Sequence, residues 1–151
     1  ASQWACALAL LAESCSVQKD TRSQVANCSA ALSACSAGRR WELALLLFSE
    51  ARQGLLNPDV AMVTAAIGAC ERGRQWNLAM HFLLTAMAGQ GLRPDVVAYN
   101  ATIGACQGTY QWLQAFALLA HMQRTALRPT ATTYHAVISA QEASRQWWGA
   151  L

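Results

Sequence analysis

The stretch RPDVVAYNATIGACQGTYQWLQAFALLAHM, residues 93–122, decides the fold. Val96, Tyr99, Ile103 and Cys106 fall at i, i+3, i+7 and i+10, one apolar stripe of an α-helix. Pro94 cannot continue a preceding helix, and Asp95 is a good N-cap for the new one. Gly108 falls near the end of that helix, where a glycine helps the chain turn. Trp112, Ala115, Phe116 and Leu119 then repeat at i, i+3, i+4 and i+7, the apolar face of a second helix. The stretch reads as helix, turn, helix.

Outward from it the same pattern recurs. Trp stands at 4, 41, 76, 112 and 147, with spacings of 37, 35, 36 and 35. Three residues after each comes an Ala (Ala7, Ala44, Ala79, Ala115, Ala150), followed at once by Leu8, Leu45, Met80, Phe116 and Leu151. The first-helix stripe recurs as Val25, Cys28, Leu32, Cys35 and as Val60, Val63, Ile67, Cys70. Ala131, Tyr134 and Ile138 begin a fourth copy. The turns Asn57-Pro58-Asp59, Arg93-Pro94-Asp95 and Arg128-Pro129-Thr130 head the later copies, and Gly38 and Gly73 match Gly108.

Cut after these turns, the units are 25–59, 60–95 and 96–130, with a leading half-unit 1–24 and a trailing partial unit 131–151. Both ends fall inside a unit, so the chain reads as one array that is a piece of a longer protein. One hairpin of about 35 residues cannot bury both its faces, whereas stacked hairpins can. The expected fold is therefore all-α, an alpha-solenoid. Helices are expected near 4–17, 25–37, 41–53, 60–72, 76–90, 96–107, 112–125 and 131–144. The middle unit carries one extra residue between Trp76 and Met87. A residue inserted in a helix must be absorbed by a wide turn or a shifted face, expected here between Leu83 and Met87.

Composition agrees. Hydrophobic residues make up 54% of the 151 and charged residues 13%, too apolar for intrinsic disorder. No apolar run reaches the roughly 18 residues of a membrane span. The net charge of +3 comes almost entirely from Arg, Lys19 being the one Lys, and it permits an anionic partner without demanding one. Cys6, Cys15, Cys28, Cys35, Cys70 and Cys106 contain no C-x-x-C pair. Cys35, Cys70 and Cys106 recur one per unit, too far apart for disulfides, and read as buried thiols. His81, His121 and His135 add no metal-ligand spacing, so neither a metal nor another cofactor is expected. No phosphate loop or nucleophile motif supports an enzyme.

The Val97–Cys106 run, the Trp-x-x-Ala-apolar start of each second helix and the closing Gly91-Leu92-Arg93-Pro94-Asp95 resemble the pentatricopeptide repeat family. A tetratricopeptide pattern is absent, since no Trp-x-x-Leu-Gly occurs. The resemblance implies a right-handed superhelix that binds single-stranded RNA, one base per repeat, in mitochondria or plastids. It implies work in processing, stability, editing or translation of organellar transcripts. It also implies that the fifth residue of each first helix and the last residue of each unit read the base. Those are Ser29 with Asp59, Thr64 with Asp95, Asn100 with Thr130, and an unpaired His135. In the family, Thr or Ser with Asp goes with guanine and Asn with pyrimidines; Thr130 leaves cytosine or uracil open, and both Thr130 and His135 depart from the commonest choices.

The chemistry of the side chains is compatible. An ionised Asp only accepts hydrogen bonds, which suits the two donors of guanine, and a hydroxyl beside it can donate or accept. Asp59, Asp95 and Thr130 are equally explained as N-caps. Small or branched side chains at Ala26, Ala61, Val97 and Thr132 could sandwich a base or pack helix against helix. Arg39, Arg74 and Arg145 each lie two residues before a Trp, with Arg40 and Arg72 beside them, a candidate phosphate-binding stripe at the turns. The Trp residues themselves read as core between units rather than as stacking platforms. The competing reading is a protein-binding scaffold of tetratricopeptide-like helices, whose exposed groove would be apolar or charge-matched.

Overall fold

The computed structural model describes residues 21–53, 57–86 and 91–149, with the single positions Ala9 and Gly89. The helix expected over 4–17 lies outside the described residues apart from Ala9, as do Trp4, Cys6 and Cys15. The described elements are α1 (Thr21–Ala37), α2 (Trp41–Gln53), α3 (Val60–Arg72), α4 (Trp76–His81), a π-helical segment (Phe82–Ala86), α5 (Val96–Gln107), α6 (Trp112–Arg124) and α7 (Ala131–Gly149). There is no strand among the described residues.

The helices form two layers. The first helices α1, α3, α5 and α7 pack side by side, each on the next. The second helices lie over the seams: α2 between α1 and α3, α4 between α3 and α5, α6 between α5 and α7. This is an alpha-solenoid. A first helix in mid-array is thus covered on several sides. In α5 the expected stripe residues Tyr99, Ile103 and Cys106 are fully buried, and so are Ala98, Thr102 and Ala105 on the adjoining face. Alanine and threonine there let neighbouring backbones approach. Thr102 donates its Oγ1 proton to the Ala98 carbonyl at 2.8 Å, so its burial leaves no polar atom unsatisfied.

Each of three hairpins turns in the same way. Arg39, Arg74 and Tyr110, two residues before their Trp, adopt left-handed backbone with φ of 57°, 55° and 61°. The amides of Arg40, Gln75 and Gln111 then donate back to the carbonyls of Cys35, Cys70 and Cys106 at 2.8–3.0 Å. Gly73 sits under the Trp41 ring of the preceding hairpin. A Cβ placed on Gly73 would come within 2.5 Å of Trp41 Cγ. Gly73 has φ −80°, so room for the ring, and not backbone freedom, is what requires glycine there.

The extra residue of the middle unit is found where a shift was expected. The α4 ladder widens into the π-helical segment at Phe82, and the Phe82 ring meets Phe48 of α2 edge-on with centroids 5.0 Å apart. A π turn adds a residue without ending the helix, so Leu83 stays buried.

Three expectations are corrected. α1 begins at Thr21, ahead of 25. α7 runs on to Gly149 instead of ending at 144. The turns at Arg39 and Arg74 need a left-handed residue, which at Arg145 would cost about 1–2 kcal/mol, and the backbone there stays helical. Tyr134 and Ile138, equivalents of the buried Tyr99 and Ile103, are exposed. Finally, Trp41 and Trp76 join the core as expected, but Trp112 is 37% exposed and stacks edge-on with the exposed Phe116.

Burial pushes the Cys70 thiol up to about 12 and the Cys106 thiol up to about 11. Neither forms thiolate near neutral pH. Native protein alkylated at pH 8 should therefore label Cys70 and Cys106 far more slowly than the half-buried Cys28, and all three alike in denaturant, as peptide mass mapping would read. Gly73→Ala should lower stability by about 1–3 kcal/mol, measured by urea unfolding, because the Trp41 ring cannot yield as a flexible chain end would.

Candidate functional site

The first helices leave one face open. It carries Ala26, Ser29 and Ala30 on α1; Ala61, Thr64 and Ala65 on α3; Val97, Asn100 and Ala101 on α5; and Thr132 and His135 on α7. Ser29, Thr64, Asn100 and His135 hold the same place on successive helices, so they form a row with one member per hairpin. The first three are half-buried and His135 is exposed.

The row is best built at Asn100. Thr130 heads α7, and its Oγ1 lies 3.5 Å from Asn100 Nδ2. Thr133, fully buried one turn into α7, donates its hydroxyl proton to Asn100 Oδ1 at 2.5 Å. Thr133 Oγ1 also accepts from the Thr130 amide at 3.0 Å, and the two hydroxyls are 3.1 Å apart. The Thr133 amide points back at Thr130 Oγ1 at 3.4 Å. Thr130 and Thr133 thus make a reciprocal cap in which each side chain serves the other's backbone.

The two Asp turns behave differently. Asp59 Oδ1 accepts from the Met62 amide and Asp95 Oδ1 from the Ala98 amide, each at 2.8 Å. These are N-caps, as either reading of the sequence requires. Both aspartates are exposed, and Oδ2 of each makes no hydrogen bond to the described residues. No hydrogen bond joins Asp59 to Ser29, which donates to the Ala26 carbonyl at 2.8 Å. None joins Asp95 to Thr64, whose Oγ1 is buried and has no partner. Of the paired positions, a hydrogen bond joins only Asn100 and Thr130.

The basic residues lie at the other end of the first helices. Arg39, Arg40, Arg72 and Arg74 are exposed at the turns, and the Arg145 backbone is helical within α7 while its side chain lies outside the described residues. The Arg74 stem runs over the next turn, 3.5 Å from where a Cβ on Gly108 would stand. At about 1.5 Å rise per residue, this Arg row is roughly 12–15 Å from the Ser29–Asn100 row. In the third hairpin the matching place is Tyr110, 57% exposed, so the basic row is interrupted there.

Two participants were not foreseen. Thr133 had a signal, the Thr-x-x-Thr spacing of a capping box. Glu71 had none. Its half-buried carboxylate lies between the two rows, against Gly104 of α5, where an added Cβ would collide with it. Burial raises its pKa, opposed by the neighbouring Arg72 charge. Among the described residues no three His, Cys, Asp or Glu side chains gather as a metal site, and no helix is long and apolar enough to cross a membrane.

The family model for the pentatricopeptide repeat domain matches residues 45–109 and 82–142. The chain is 26% identical to the pentatricopeptide repeat protein PPR10 in a crystal structure of its complex with an 18-nt psaJ RNA element. The TM-score is 0.75, over 89% of this chain and 20% of that one. The crystal structure of PPR10 from maize gives a TM-score of 0.73 at 21% identity, over 83% of this chain and 18% of that one. The chain thus spans about a fifth of the length of these solved structures. No curated protein sequence matches it.

Glu71 makes stability depend on pH in a defined direction. Its folded pKa lies above the unfolded one, so its stabilising contribution is complete below the ordinary carboxylate value and is lost as pH rises through the raised value. Glu71→Gln should therefore be more stable than the native chain at pH 7. That advantage should vanish as the pH is lowered through the carboxylate range, as thermal melts at several pH values would read.

Proposed function

Because the chain belongs to the pentatricopeptide repeat family, we propose that it is a sequence-reading module for single-stranded RNA, acting on mitochondrial or plastid transcripts. The role is binding, not catalysis. Units 25–59, 60–95 and 96–130 each meet one base, and the trailing residues 131–151 add His135. Ser29 with Asp59 and Thr64 with Asp95 take guanine; Asn100 with Thr130 takes a pyrimidine. In chain order the three units read 5′-guanine, guanine, pyrimidine-3′.

The observation that carries this reading is the contact between Asn100 and Thr130. Residues 30 apart in sequence meet at the open edge of two successive first helices. A base placed there meets the Asn100 amide, with Thr130 backing it. The aspartates fit too, since capping uses Oδ1 and leaves Oδ2 for a donor such as guanine N1–H. Thr64 Oγ1 lacks a partner inside the chain, and a Thr in a helix has two accessible χ1 rotamers, one of which can turn the hydroxyl outward. Arg39, Arg40, Arg72 and Arg74 supply phosphate contacts along the turns, and Arg145 continues the row from within α7. PPR10 is held in a crystal with an 18-nt RNA element, and this chain shares its architecture.

A second reading, a protein-binding scaffold, has one observation in its favour: Tyr110, Trp112, Leu113 and Phe116 form an exposed apolar patch at the start of α6. It lies on a second helix, away from the Asn100 row.

Selection of bound sequences from a random single-stranded RNA pool tests the proposal, and guanine-rich sequences should be enriched. Asp95→Asn should change the preferred base, because an amide brings a donor where the carboxylate only accepted. Arg74→Ala should weaken all sequences alike and reduce the slope of affinity against salt by about one. Equal binding of guanine-rich and guanine-free RNA, unaltered by Asp95→Asn, would leave the scaffold as the better account.

A further inference from the structure

We propose that Thr133 is the positioning residue that lets the Asn100 site tell one pyrimidine from the other. The inference rests on the RNA-reading proposal above and assigns a role to a residue outside the paired positions.

It begins with the protons. Asn100 Oδ1 carries none, so the hydrogen at the 2.5 Å contact comes from Thr133. That distance suits O–H···O and is too short for N–H···O, which sets the amide with its oxygen toward Thr133 and its nitrogen toward Thr130. Thr133 has then spent its proton, so at the 3.1 Å contact between hydroxyls Thr130 is the donor. Thr133 Oγ1 accepts this proton and the Thr130 amide. Thr130 Oγ1 accepts the Thr133 amide and Asn100 Nδ2. Both hydroxyls are now saturated, with one donation and two acceptances each.

Two consequences follow. Thr130 has nothing left to offer a base, although it stands beside the amide. Asn100 keeps one Nδ2 hydrogen and one Oδ1 lone pair, in a fixed order. Uracil and cytosine differ at this edge. Uracil N3–H needs an acceptor with a donor beside it for a carbonyl. Cytosine N3 needs a donor, with an acceptor beside it for the amino group. With atoms 3 and 4 of the base edge facing the amide, an amide free to flip serves both bases, and one held by Thr133 serves one. Thr133 is fully buried, so RNA does not reach it and it acts only through Asn100. The other hairpins lack the device, since Ala98 and Met62 occupy the corresponding place.

The test uses the chain with RNA oligonucleotides that differ only in uracil or cytosine after two guanines. The native chain should prefer one of the two. Thr133→Val keeps the shape of the buried side chain and removes the hydroxyl, and should cut the affinity preference of the native chain, whichever pyrimidine it favours, by about fivefold toward one, the worth of one net hydrogen bond. Thr133→Ser, which keeps the hydroxyl, should retain the preference. Without RNA, the Asn100 side-chain NH2 signals in NMR should exchange faster with solvent in Thr133→Val than in the native chain. An unchanged ratio in Thr133→Val, with guanine selectivity intact, would overturn the role of Thr133 and leave the RNA reading standing. Loss of guanine selectivity in the native chain itself would overturn both.

Discussion

The Trp41 ring needs space on the next hairpin, and Gly73 leaves it. That contact sets how closely the second hairpin follows the first, and the packing of α3 depends on it; at the next interface Gly108 meets the Arg74 stem instead. The ring lies over the turn between α3 and α4, the turn is held by a left-handed Arg74, and α3 and α5 then pack at a distance that small side chains allow. Ala98, Ala105 and Thr102 on α5 are buried against their neighbours because nothing larger stands there. A solenoid has no central core to average out an error. Each interface carries its own stability, and a misfit at one passes to the next.

Close and regular stacking also places the polar row. At Asn100 the fifth residue of a first helix stands beside Thr130, which caps the next first helix. In the proposed reading, capping and presentation fall to the same side chain. An aspartate cap divides its two oxygens between the tasks, because Oδ1 meets the backbone amide and Oδ2 remains. A threonine cap has a single oxygen. At Thr130 it is fully engaged by Thr133 and Asn100, so the third position works by a different arrangement from the first two.

Much of the fold was legible because its determinants are local or periodic. The spacing from Val60 to Cys70 and from Val96 to Cys106 located two first helices, and the Pro-Asp turns located their starts. The extra residue after Trp76 implied a disturbance before Met87, and a π-helical segment lies there. What was not legible depended on neighbours. The exposure of Trp112 and the continuation of α7 follow from whether another helix covers them, which periodicity alone does not encode. Thr64 has the same sequence position as Asn100, yet its hydroxyl is buried without a partner while the Asn100 amide is held on both sides. That difference comes from residue 133 set against Ala98, one hairpin away from the residue it governs.

The central claim is that stacked hairpins present their polar row to consecutive bases in chain order. The most direct measurement compares two RNAs of identical composition and flanks, one carrying 5′-guanine-guanine-pyrimidine-3′ and the other 5′-pyrimidine-guanine-guanine-3′, by equilibrium binding at fixed salt. Electrostatics alone cannot separate them, because the phosphates are the same. The account predicts tighter binding of the first. Equal affinity for both orders would contradict it.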